Sequence, residues 1–485
     1  MDWYLVSPEL SMVGLAIMVI LLDLVIEKKA VLAVISAVGL IVPLALAISL
    51  WGEDDVSFNG MLAVDNFALF FKFLFIGITA MVIMSSWDYV CNRIENLRGE
   101  FYALILLSAL GLMLMAAARE MITIYVALEL SGMSLYALTS FLKDRKSTES
   151  GIKYILLGAI ASATLLYGMV LIFGMTGSTH LEAIRDSIVA SGLREPALLL
   201  GMILVAAGFA FKISAVPFHM WAPDVYEGAP TPITAYLSVA SKAAGFAVIL
   251  RIFFTAFGSP DWLLNDWSLL FGVLAAITMT VGNVIALWQT NIKRLLAYSG
   301  VAQAGYLMVG LIAANTMNVD KLDDPNAGLA GIMFFLVAYA LANLGAFIVV
   351  IAISNKTGND EISSFSGLFK RSPVLALVMG LCLISLTGIP PTAGFMGKLF
   401  VFKAAADAGM LWLVIIAVVN SVIAAFYYFK VIKAMFITEP ESEEGIPSSG
   451  VLRMTLVIST IGVFLLGVYP YIVTKITHVT DILLR

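Results

Sequence analysis

Long apolar runs separated by short polar joints leave this chain few folds to choose from. About fourteen can be delimited, near 8–26, 30–50, 64–86, 100–117, 120–141, 151–175, 197–220, 231–256, 267–289, 293–314, 328–354, 372–406, 409–436 and 451–474. A helix needs ~20 apolar residues to cross ~30 Å of hydrocarbon, and most runs reach that length. Polar and apolar residues do not alternate, so a barrel is excluded and helices must satisfy the backbone. The 485 residues are 61% hydrophobic and 13% charged, with mean hydropathy +0.99, which leaves little soluble mass. The expected fold is an all-α polytopic membrane protein, a single membrane domain over residues 1–485.

The twelfth run is too long for one straight helix and contains Pro390-Pro391. Two half-helices are expected there. The seventh run is interrupted at Pro217 in the same manner, since proline frees a carbonyl one turn earlier. Broken helices five spans apart suggest two inverted five-helix repeats, and such pairs point to a transporter's path. The expected divisions are three N-terminal helices (1–99), a first repeat of helices 4–8 (100–256), a second of helices 9–13 (267–436) and a C-terminal helix (451–485).

Lys28-Lys29, Arg93, Arg98, Lys143, Arg145, Lys146, Lys293-Arg294, Lys356, Lys370-Arg371, Lys430 and Lys433 fall in one set of alternate joints. The other set holds few cations (Arg185, Arg194, Lys321) among Asp54, Asp55, Asp323 and Asp324. The positive-inside rule then places both termini on the non-cytoplasmic side. The start lacks a basic n-region and a cleavage site, so the first run is expected to remain as a span. Cys91 and Cys382 are too far apart to suggest a disulfide framework or a metal site. The segment 438–450, with Glu439, Glu441, Glu443 and Glu444, is expected to be a solvated loop. The net charge of −5 and the lack of a basic tail give no sign of nucleic-acid binding.

Against this background four charges stand out. Glu129 lies in the fifth run, Lys212 in the seventh, Lys242 in the eighth and Lys398 in the twelfth. An ionised group at the bilayer centre costs at least ~2.5–3.5 kcal/mol and usually marks an ion or proton path. Lys212 is five residues before Pro217, near carbonyls the break should free. Lys242 shares a helix face with Ser238 and Gly245. Lys398 follows the Pro390-Pro391 break; its Gly397-Lys398 pair lacks the rest of a phosphate loop. No lysine sits at helical spacing from Glu129, so its partner must come from another span, with Lys212 the candidate. His219, just after Pro217, titrates near neutrality and suits a relay, or else caps a turn. Lys153, near the start of the sixth run, can snorkel. Lys403 has the same option. Lys72 lies unexpectedly deep in the third run with no evident partner.

Desolvation weakens a lysine's hold on its proton and a nearby carboxylate strengthens it. Moving one charge against 100 mV takes ~2.3 kcal/mol, or ~1.7 pKa units at ~1.36 kcal/mol each. Engaging and releasing Glu129 can supply such a swing. No energy source is visible in the sequence, so the drive must come from outside.

Several stretches together resemble the antiporter-like subunits of respiratory complex I, the proton-pumping NADH–quinone oxidoreductase, most closely the subunit N (mitochondrial subunit 2) type. They are 7–10 (SPEL), 126–131 (VALELS), 153–159 (KYILLGA), 216–232 (VPFHMWAPDVYEGAPTP), 388–391 (GIPP) and 394–398 (GFMGK). The resemblance implies fourteen helices with helices 7 and 12 broken. It implies proton transfer by Glu129, Lys153, Lys212, Lys242 and Lys398. It also implies complex I membrane subunits on both flanks, and a bacterial-type inner membrane location. FMN, iron–sulfur clusters and quinone would belong to partner subunits, with no cofactor on this chain. A long lateral helix would indicate subunit L, and none precedes Arg485. A subunit of a multi-subunit Na⁺/H⁺ antiporter or of a membrane-bound hydrogenase is the alternative.

Overall fold

A computed structural model describes residues 3–26, 30–94, 98–192, 194–314, 327–440 and 444–477. Lys28, Lys29, Lys321, Asp323, Asp324, Glu441, Glu443 and His478 lie outside the described residues. Three spans open the chain: α1 (Ser7–Val25), the pair α2 (Ala30–Gly39) and α3 (Ile41–Ser49), and α4 (Asn66–Arg93). A small antiparallel hairpin, β1 (Asp55–Ser57) and β2 (Leu62–Val64), precedes α4. Then come α5 (Arg98–Ala117), α6 (Met121–Thr139), α7 (Arg145–Thr176), α8 (Leu181–Ser191), α9 (Pro196–Lys212) and α10 (Trp221–Gly228). The eighth span is composite: α11 (Thr231–Tyr236), a π-helical turn (Leu237–Ser241) and α12 (Lys242–Thr255). The remainder is α13 (Asp261–Ala286), α14 (Ile292–Ala313), α15 (Ala327–Thr357), α16 (Leu368–Arg371), α17 (Pro373–Thr387), α18 (Ala393–Asp407), α19 (Leu411–Phe436), α20 (Gly450–Val468) and α21 (Tyr471–Thr477).

Among the described residues twelve spans are long and apolar enough to cross a membrane, and two shorter apolar helices, α9 and α17, are the interrupted ones. Twelve and two make the expected fourteen. The capping chemistry explains the helix starts. Asp65, Glu120 and Asp144 accept from the backbone N–H three residues on, opening α4, α6 and α7. Gly177, in the left-handed region at φ 72°, stops α7.

Both breaks differ in detail from a plain proline kink. The seventh helix ends at Lys212, before Pro217, and the chain is helical again from Trp221 as α10. The freed Phe211 carbonyl accepts from the Trp221 indole at 3.0 Å. Helix α17 ends at Gly388 (φ 91°), and α18 restarts after Pro390-Pro391. The amphipathic α8, between the sixth and seventh spans, buries Leu181, Ile184 and Ile188.

Burial sorts the spans. The composite eighth span lies wholly inside, and α14 and α15 nearly so. By contrast α1, α7, α19 and α20 expose large apolar side chains such as Leu24, Ile160, Phe426 and Phe464, as hydrocarbon-facing helices do. Because the chain reverses at each span, α1, α4 and α6 begin at one end of the bundle, called here the N-terminal face. Lys146, Asp224 and Arg294 gather at the opposite face.

Candidate proton-transfer site

Position, not composition, turns the interior lysines into a chain. Lys212 closes α9 at the break and is buried. It borders a cavity of about 20 Å³ shared with Tyr136, Tyr154 and Ser162, room for about one water. Glu129 is one turn along α6 from that cavity. Its carboxylate accepts a hydrogen bond from Ser162, whose Oγ can in turn accept from the Tyr125 hydroxyl at 3.4 Å. Glu129 and Lys212 do not form an ion pair within 4.0 Å. The direct partner of the carboxylate is therefore Ser162, and not the Lys212 expected for it.

On the other side, the Lys212 stem meets α12. A Cβ added at Gly245 would lie 3.5 Å from Lys212 Cγ. Lys242 is three residues earlier, at the first position after the π turn, and only 1% exposed. Its ammonium has no hydrogen-bond partner, and neither has the Ser241 hydroxyl beside it. A Cβ at Gly300 of α14 would sit 2.8 Å from Lys242 Nζ and 3.1 Å from the Tyr339 hydroxyl. That hydroxyl donates to Ser238 O at 3.1 Å, a carbonyl of the π turn, and Asn343 Nδ2 donates to Ser238 Oγ at 2.7 Å. Buried polar atoms without protein partners call for water, because leaving them bare costs ~1–3 kcal/mol each.

From Gly300 the polar line continues along α14. Ser299 and Tyr428 share a hydrogen bond, and Gln303 Nε2 donates to Leu386 O at 2.9 Å. Leu386 is in the last turn of α17, where carbonyls lack helical partners. Lys398 Nζ donates to Leu386 O at 3.1 Å, Thr387 O at 2.9 Å and Ser421 Oγ at 3.4 Å. It also stands 4.4 Å over the Tyr306 ring. The negative end of the half-helix dipole thus faces the ammonium.

His219 is buried between α9 and α10, with Nδ1 unpartnered and its ring edge-on to Tyr298 at 6.3 Å. It touches the same stretch of α14 that carries Ser299 and Gly300. Lys153 stands apart. Its side chain is 41% exposed and pairs with Glu149 and Asp224, each at 2.8 Å. Arg294 joins Asp224 at 2.7 Å and Glu227 at 3.1 Å. Lys146, Glu149, Lys153, Asp224 and Glu227 line a cavity of about 170 Å³ at the face opposite the N-terminal one. Burial opposes the Asp224 carboxylate, but hydrogen bonds from Lys153 and Arg294 prevail and hold it below the ordinary carboxylate range. Lys403 is largely exposed beside Asp407, as a snorkelling residue would be.

Sequence reading passed over several contributors. Gln303, Tyr339 and Asn343 were visible as polar residues inside apolar runs, but their roles follow from contacts 83 to 105 residues apart. Lys72, without a partner in the sequence, forms a buried ion pair with Glu9 at 2.7 Å. Among the described residues no group of three or more His, Cys, Asp or Glu could hold a metal ion.

Gly394 fixes the second break. A Cβ there would fall 1.9 Å from the Ser385 carbonyl oxygen, a backbone atom that no rotamer change moves. Gly394→Ala should therefore displace α18, and Lys398 with it, at a cost of about 1–3 kcal/mol or more. Thermal unfolding in detergent should show a lowered midpoint, whereas Gly14→Ala, facing open space, should show none.

Residues 118–424 match the model of the family described as NADH:quinone oxidoreductase/Mrp antiporter, TM. The chain belongs to this antiporter-like family. It is 46% identical over 473 residues to NADH-quinone oxidoreductase subunit N of Dehalococcoides mccartyi, covering 96% of each chain. A chain of respiratory complex I from Thermus thermophilus matches with TM-score 0.80 and 32% identity, over 96% of this chain and 98% of that one. A chain of the Mrp complex from Dietzia sp. DQ12-45-1b matches with TM-score 0.85 over 99% and 97%; at 20% identity it shares the fold.

Proposed function

We propose that this chain is the subunit N of a proton-translocating NADH–quinone oxidoreductase and moves protons through Glu129, Lys212, His219, Lys242 and Lys398, with Lys153 at the mouth. One observation carries the reading: three lysines are buried in the bundle between the first break and the second, Lys212 and Lys242 both against α12 and Lys398 reached by polar contacts from α14. Lys153, Asp224 and Glu227 collect protons at the charged face. Lys212 receives one across the small cavity, at a rate set by how closely Glu129 approaches. Lys242, held without a protein partner, passes it on with little to retain it. Lys398, cradled by freed carbonyls, is the storage end. Pro217, Pro390 and Pro391 serve by keeping both helices broken where backbone oxygens are needed.

The redox groups and quinone belong to partner subunits, which contact this chain on both flanks and drive the relay by altering Glu129. Two inverted repeats, 100–256 and 267–436, place the breaks symmetrically, after three N-terminal helices (1–99) and before a C-terminal one (451–485). Both termini are on the non-cytoplasmic side of a bacterial-type plasma membrane, as the cation bias of the joints supports.

The test is made on the native assembly, purified with its partners identified and reconstituted in vesicles. Lys212→Ala and Glu129→Ala should each lower the protons moved per quinone reduced while the assembly stays intact. Wild-type pumping in both would remove the assigned roles.

A further inference from the structure

Buried charges also stand outside the relay. Lys72 is 1% exposed and pairs at 2.7 Å with Glu9 Oε1, whose side chain is 6% exposed. The second carboxylate oxygen, Glu9 Oε2, is buried without a partner, and so is the Ser7 hydroxyl two residues away. Glu9 is in the first turn of α1, so this pair lies near the N-terminal face. A pair that only fastened α1 to α4 would be better served by apolar packing, because desolvating two charges costs more than their attraction returns unless all lone pairs are used.

The pair also ends a column. Asp65, Lys72, Thr79 and Ser86 recur every seven residues along α4, which sets them on one side of the helix. Thr79 is fully buried about 10 Å deeper than Lys72, at 1.5 Å per residue. The Tyr236 hydroxyl lies between Thr79 and Ser108 without a well-formed hydrogen bond to either. Ser108 shares a hydrogen bond of 3.3 Å with Ser131, two residues after Glu129 on α6. Tyr236 itself leads into the π turn before Lys242. Hydroxyls therefore lead from beside the relay as far as Thr79, two turns of α4 below the Glu9–Lys72 pair, and Asp65 at the head of the stripe is neutralised by Arg251.

We propose that Glu9 and Lys72 form a proton-release site at the N-terminal face, fed from the relay through Thr79, Ser108 and Tyr236. Lys72 gives an Nζ proton to Glu9 Oε1, which breaks an N–H bond and forms an O–H bond, leaving a neutral amine and a carboxylic acid. The acid then loses its proton past Ser7 to water at that face, while the column returns one to the amine. One proton enters and one leaves, with no other reactant.

The proposal rests on the relay reading, so its test includes that reading's own control. In reconstituted native assembly, Glu9→Gln should retain quinone reduction yet lower the protons moved per quinone reduced, and Glu9→Asp should restore them. A merely structural pair would show its loss in assembly and stability and not in the ratio of protons moved to quinone reduced, and wild-type pumping in Glu9→Gln would overturn the proposal. Should Glu9→Gln not assemble, Thr79→Val, which leaves the ion pair untouched, is expected to show the same loss; unchanged pumping there would overturn it equally. Lys212→Ala, measured alongside, separates the two ideas. If it pumps normally the relay reading fails, and if only the Glu9 and Thr79 variants do, the release site alone fails.

Discussion

Lys242→Met should assemble, resist heat better than the parent protein, and carry no protons past the eighth span. The ammonium is 1% exposed and has no hydrogen-bond partner. Burying a charge without a partner is among the costliest things a fold can do, and methionine fills similar space with none of that cost. A rise of about 1 kcal/mol or more in stability is expected, read as a higher unfolding midpoint. The loss of transport follows because no lysine then stands between Lys212 and Lys398. Lys242→Arg sharpens the test. Its guanidinium stays protonated at every accessible pH, so it should fail to pump although it keeps the charge. If either variant moves protons at the parental rate, Lys242 is no carrier.

Arg251→Ala should be the most damaging single change to stability outside the relay. Its guanidinium bonds Asp65 through two nitrogens at 2.5 and 3.0 Å and donates to Ala116 O at 3.0 Å. It also lies 4.8 Å over the Phe67 ring. Both partners are 4% exposed. Removing one member of such a pair strands the other and costs about 3–5 kcal/mol. Little folded protein should survive detergent extraction. The double variant Asp65→Asn with Arg251→Met should recover part of the loss, because no charge is left alone. Equal yields for the single variant and the parent would show that the pair contributes nothing.

Arg251 is also a lesson in legibility. The sequence displayed it within an apolar run as plainly as it displayed Lys242, yet its partner is 186 residues away. Apolar length and proline positions suffice for the spans and both breaks, since these depend on local chemistry. The depth of Lys212, Lys242 and Lys398 was legible because residues flanking them are apolar on every side. Partnerships were not. Glu129 settles on Ser162 instead of an ion pair with Lys212, and Lys72 finds Glu9 in another span. Lys153 resembles the buried lysines in its local sequence, but α7 opens eight residues earlier and sets it at a charged rim. Such outcomes are fixed by which helices become neighbours, and α8 and α10 likewise acquire their helical form from surfaces they cover.

The π turn at Leu237–Ser241 makes the aim of Lys242 a matter of counting. Each residue of an α-helix advances the azimuth by ~100°, and a wide turn accommodates one residue more than regular winding would. Everything after it, including the ammonium, points where it does because of that surplus. Excising a single residue there would swing the lysine about a quarter of a revolution off its bearing while every side chain of the relay kept its identity.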